Sequence, residues 1–182
     1  MSRLPELTPE TMTDTQRRAL DHLRTALPGA GTNGTFGVWL RLPEIGPAIT
    51  DLFVATYKHR KLDRRLFELM TIIIARQWET PFAWAEHAGR ARDLGISPDV
   101  IEAIRQEKEP SFAEADERLV YDVVIALGDA HRLDDALFAH AHALLGEERL
   151  VELVMQIGLY TLVASTLAAF AIPARDGNKA FD

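Results

Sequence analysis

The chain contains no cysteine among its 182 residues, which removes disulfides, thiolate metal ligands and thiol redox chemistry from consideration. No glycine-rich phosphate loop is present either. Gly29, Gly31 and Gly34 follow no strand pattern, and no Lys-Ser/Thr pair comes after them. A positive surplus is missing too: the formal charge is −7 and the isoelectric point near 5.4, which argues against nucleic acid and against anionic membrane as partners. The opening stretch MSRLPELTPETMTD lacks an apolar signal core, so a cytoplasmic protein is expected. Ser97 and Ser165 have no histidine or acid at a spacing that suggests nucleophilic hydrolysis.

What is present is ordinary globular material, 47% hydrophobic and 26% charged, at a length that favours one domain over residues 1–182. Helix grammar dominates and strand signals are nearly missing, so the fold class read from the chain is all-α. Residues 1–34 form an N-terminal helix and loop. Thr8-Pro9-Glu10 offers a cap and a first-turn proline for a helix reaching about Leu27. Phe36 to Leu40 is a short aromatic-apolar piece, and Pro43 to Pro47 lead into a helix ending near Tyr57. Asp63 caps a helix through Trp78, Thr80-Pro81 opens the next, Gly95 closes it, and Ser97-Pro98 opens another to about Gln106. Amphipathic helices follow over Phe112 to Ala130, Leu133 to Leu145 and Glu147 to Ala171, with a loose tail over 173–182. The stretch IGLYTLVASTLAAFAI, Ile157 to Ile172, carries no charge. It falls short of the ~20 residues that cross a bilayer and reads as a buried core helix, with no membrane partner.

Two residues carry chemistry. Glu68 sits in the apolar run Leu66 to Ala75, where an unpartnered carboxylate costs several kcal/mol or takes up a proton, so it needs a donor. The bland alternative pairs it with Arg64 or Arg65. His87 lies nineteen positions on, on the helix that Pro81 starts, with Thr80, Ala83 and Trp84 on the same face. A buried acid facing a histidine is raw material for proton transfer. Phe36, Trp39 and Tyr57 form an upstream aromatic stretch able to line a pocket. His140 and His142, two positions apart, point away from each other and do not chelate one metal. The remaining histidines lie in charged surroundings, and no metal site is expected.

The segment LFELMTIIIARQWETPFAWAEHAGRARDLGI resembles the core motif of the carboxymuconolactone decarboxylase and alkyl hydroperoxidase D-like family, and the likeness extends from about Phe36 to Ala171. It implies an orthogonal helical bundle of the alkyl hydroperoxidase D-like type. Thr80 and Ala83 stand where the peroxidase branch of that family has its cysteines, so peroxidase activity is excluded. The cysteine-free decarboxylase branch is then the nearer likeness. It implies a cofactor-free acid–base enzyme, a decarboxylase or isomerase acting on a small carboxylated or lactone-like acid. His87 would be acid and base, with Glu68 orienting it and Trp84, Arg90, Thr80, Trp39 and Phe36 contacting the substrate. Phe82-Ala83-Trp84 departs from the aromatic-Glu-Trp of many relatives, so a second carboxylate is missing there. The alternative is therefore a degenerate, non-catalytic member that binds a ligand or assembles. The resemblance also implies a homo-oligomer, trimer or hexamer. Finally, Arg65 to Met70 is echoed by Arg149 to Val154, a candidate internal duplication in which Ala171 occupies the position matching His87.

Overall fold

Side-chain caps and Schellman turns place the helix ends of this chain, and all of its regular structure among the described residues is helical. The computed structural model describes residues 2–174 and 180–181, so most of the expected tail lies outside the described residues. The chain divides into two compact units, Met1–Arg60 with Ala169–Ile172, and Lys61–Ala168 with Pro173–Asp182.

In the first unit α1 (Asp14–Ala26) pairs with α3 (Gly46–Lys58), and the short α2 (Gly34–Trp39) lies between them in the chain. The start of α1 corrects the sequence reading. Thr13, not Thr8, is the cap: its hydroxyl accepts from the Gln16 amide, and the Gln16 side chain takes the Thr13 N–H at 2.9 Å. This reciprocal box satisfies two amide groups at the helix end, which Thr8 cannot do because Thr8-Pro9-Glu10-Thr11 closes its own turn. Phe36, Trp39 and Phe53 pack edge-on and tilted with ring centroids 5.5–5.9 Å apart. Gly37 is fixed by close approach, since the Thr32 carbonyl occupies the space a Cβ would need.

The second unit is organised around α4 (Arg64–Gln77), which packs on α5 (Pro81–Asp93), α6 (Pro98–Arg105) and α7 (Ala115–Asp129); α7 also meets α8 (Asp135–Leu145). Every residue of α4 from Leu66 to Ala75 is buried. Asp63 caps its start by accepting from the Arg65 amide at 2.7 Å. Arg65 reaches across to α7, where it bonds Asp116 at 2.7 Å and also Glu117. Burial pushes the Glu117 carboxyl up against the pull of Arg65, while burial opposes charge on Arg65 and the two acids outweigh it. Removing one member of such a group strands the other, so its worth lies in holding α4 and α7 in register.

The α4–α5 corner is a Schellman turn. The Thr80 amide bonds Ala75 O, the Glu79 amide bonds Arg76 O, and Glu79 takes the left-handed conformation at φ 46°. Gly95, at φ 100°, ends α5 in the same way. Ser97 caps α6, with Pro98 in its first turn. The last helix, α9 (Glu147–Ala169), is long and apolar enough to cross a membrane by length and composition, yet a full face of it, from Leu150 to Leu167, is buried. Because Glu79 is an exposed residue in a conformation that favours glycine, Glu79→Gly is expected to raise stability by about 1 kcal/mol. Urea denaturation checks this, and a loss of stability would show that the glutamate contributes more than backbone geometry.

Candidate functional site

The two chemistry-bearing residues meet. The tight corner folds α5 back on α4, so that His87 Nδ1 and Glu68 Oε2 lie 2.6 Å apart. Both are buried: the Glu68 side chain is 3% exposed and that of His87 10%. An ionised carboxylate only accepts hydrogen bonds, so Nδ1–H donates to it, and Nε2 is the ring nitrogen left to take or give a proton. The other Glu68 oxygen faces Arg64, whose Nε is 4.0 Å away, too far for a hydrogen bond. Arg65, the other partner weighed for Glu68, is turned to α7 instead.

Aromatic edges enclose the imidazole. Phe67 lies 6.4 Å from it and Tyr160 5.7 Å, both near perpendicular, and these two rings contact each other at 5.1 Å. The surroundings exclude water on those sides, which strengthens the bond to Glu68 and fixes the ring plane. Thus α4, α5 and α9 each supply one part: the acid, the base and a wall.

The other sequence-predicted residues fall in varied places. Trp84 is buried on α5 one turn before His87, and the Phe181 ring packs edge-on against it at 5.3 Å, with the Arg76 guanidinium 4.8 Å from the centre of the Phe181 ring. Thr80 is buried, and its hydroxyl donates to Ala75 O at 3.2 Å, so it helps close α4. Arg90 is exposed and bonds Glu86 one turn back at 3.2 Å. Phe36 and Trp39 belong to the aromatic cluster of the first unit. Glu79, in the break, is exposed and pairs with Arg76 at 3.6 Å. Glu152, the echo of Glu68, accepts the Lys61 and Leu62 amides at 2.7 and 2.8 Å and so anchors the approach to α4.

Sequence reasoning passed over Tyr160 and Gln156. The signal was there: an amide and a phenol one turn apart in the otherwise apolar stretch from Leu153 to Tyr160, where side chains of neither type are favoured unless something receives them. Among the described residues no group of three or more histidine, aspartate or glutamate side chains gathers, so a metal here would draw on Glu68 and His87 alone.

No known protein family, curated protein or solved structure matches this chain. The chemistry of the site therefore rests on its own geometry. That geometry sets a buried carboxylate against Nδ1 of a buried histidine, with the Phe67 and Tyr160 rings edge-on beside the imidazole. Imidazole ¹⁵N shifts of labelled protein are expected to report Nδ1-protonated His87 in the wild type and a mixture of tautomers in Glu68→Gln. Glu68→Leu, which leaves the buried ring without an acceptor, is expected to cost about 1–3 kcal/mol. An unchanged tautomer in Glu68→Gln would mean that the carboxylate does not orient the ring.

Proposed function

We propose that this chain is a cofactor-free acid–base enzyme of the decarboxylase or isomerase type, acting on a small carboxylated or lactone-like organic acid. The observation that carries the reading is the 2.6 Å bond between two buried groups, Glu68 and His87. A carboxylate that fixes Nδ1–H leaves Nε2 as a positioned base, which becomes the acid once it has taken a proton. In a decarboxylation His87 enters as the imidazolium, protonated at Nε2 from solvent; the substrate carboxylate loses CO₂ to leave an enolate, and Nε2 gives its proton to the carbon, which leaves His87 neutral. In an isomerisation the same nitrogen removes a proton at one carbon and delivers it at another. Glu68 stays ionised through both and steadies the imidazolium.

A carboxylate substrate calls for a cation. Arg65 is committed to Asp116 and Glu117, and Arg90 to Glu86. Arg64, exposed and beside Glu68, is the better placed of the three arginines. The reading agrees with the resemblance to carboxymuconolactone decarboxylase. On that likeness the helices would form an alkyl hydroperoxidase D-like bundle, with α4–α5 and α9 as duplicated halves of which one kept the histidine. Without cysteine, the thiol relay of the peroxidase branch has no counterpart in this chain. The setting proposed is cytoplasmic.

Kinetics on unsaturated lactone acids and β-keto acids test the proposal. His87→Ala is expected to lower kcat/KM by about 10²–10⁴-fold, and Glu68→Gln by less. Equal rates in wild type and His87→Ala would instead favour a non-catalytic protein that binds a ligand or assembles.

We also propose a homo-oligomer formed through α9. Its outward residues Val151, Met155, Gly158, Leu162 and Ser165 recur at alternating steps of four and three, the spacing of a helix–helix seam. Val151 is 63% exposed, Met155 and Leu162 each 43%, and nothing stands within 4 Å of a Cβ added at Gly158, so a second copy of the helix could approach closely. Light scattering on eluting protein is expected to give a trimer or hexamer for wild type and a smaller species for Val151→Lys with Leu162→Lys, helical content being kept. A wild type that stays monomeric at high micromolar concentration overturns the assembly.

A further inference from the structure

Gln156 is fully buried on α9, and neither its Oε1 nor its Nε2 has a hydrogen-bond partner among the protein's groups. Leaving an amide in this state costs about 1–3 kcal/mol, where a leucine of similar size would cost nothing. Its place in the fold says what could answer it. Glu152, one turn earlier, is fastened to the Lys61 and Leu62 amides just ahead of α4. Tyr160, one turn later, lies against Phe67 and His87. The stripe Glu152–Gln156–Tyr160 thus runs along the beginning of α4 and arrives at the imidazole, with the unanswered amide one helical turn short of it.

We infer that Gln156 is the specificity-determining residue of the Glu68–His87 site, and that it receives a neutral group carrying an acceptor beside a donor. The carboxamide offers one N–H and one C=O side by side, both unmet. Their complement is a group with the reverse pair: a carboxamide, a lactam, or a carboxylic acid that keeps its proton. An ionised carboxylate answers only Nε2 and sets negative charge against Oε1. An ester or lactone likewise answers only the donor. The inference rests on the acid–base reading for the location of the site and narrows the substrate class within it. Such a group held by Gln156 would place the adjoining carbons of the substrate toward His87, while Arg64 remains for a second, ionised carboxylate.

The discrimination is readable with small probes. Benzamide presents the matching pair, methyl benzoate the acceptor alone, and sodium benzoate the anion. Their binding is followed by titration of the His87 ring resonances and by Tm. Wild type is expected to bind benzamide at least about tenfold more tightly than either benzoate probe, because an unmet donor or acceptor at a buried polar site is what such a site rejects. Gln156→Leu is expected to lose that preference and, without probe, to melt at a higher temperature than wild type. Gln156→Met gives the same comparison should leucine perturb the fold. No benzamide binding to wild type at millimolar concentration overturns the inference, as does an unchanged preference in Gln156→Leu. His87→Ala separates the two ideas. Loss of turnover in His87→Ala with an unaltered probe preference in Gln156→Leu leaves the acid–base reading standing and removes this one. Benzamide preference that depends on Gln156, without turnover of any acid, does the reverse.

Discussion

A carboxylate placed in a helix that is apolar on every side must be answered from another element, and in this protein one imidazole answers it. Glu68 and His87 lie on helices joined by only three residues, yet their side chains meet because the corner between α4 and α5 reverses the chain sharply. The bond satisfies the buried acid and, at the same time, orients the imidazole. The remaining features of the second unit act on it at one remove: Phe67 and Tyr160 pack edge-on against the ring, and Arg64 stands 4.0 Å from the acid.

That corner depends on backbone groups more than on the side chains that first draw the eye. Thr80 occupies a position that invites a chemical role, but its hydroxyl and its amide both close α4 by bonding Ala75 O. Glu79 takes the left-handed residue of the Schellman turn instead of reaching inward. The ion group Arg65–Asp116–Glu117 fixes the opposite flank of α4 against α7. The helix bearing the acid is therefore held at both flanks, which fixes the Glu68 side chain relative to α5.

Glu68 and Glu152 show how like sequences part in use. Each follows an Arg-Leu-aromatic or Arg-Leu-aliphatic step into a long apolar helix. One finds a histidine; the other finds two backbone amides before α4. Local context alone makes them equivalent, and only the partner distinguishes them. The same holds for the arginines near the site: Arg64, Arg65 and Arg90 read alike along the chain, but two of them are held by acids on their own or a neighbouring helix.

Helical class and most helix boundaries were legible in the chain because they follow from short-range rules, and Glu68 and His87 stood out as candidates whose meeting those rules do not fix. Apolar runs of helical period, Asp63 and Ser97 as caps, and Gly95 as a stop are written within a few residues of where they act. The start of α1 misled because two threonine signals compete there, and the reciprocal bond to Gln16 decides for Thr13. Tyr160 and Gln156 could not be placed beforehand, since they reach their neighbours from a helix some seventy residues downstream of His87, and no periodicity says which buried stripe faces which. The sequence by itself determined that this is a helical, thiol-free chain with a buried acid needing a donor. Tertiary packing decided which donor it gets, which rings wall the pair and which amide is left unanswered, because those depend on contacts between helices whose register is set by the whole packed unit.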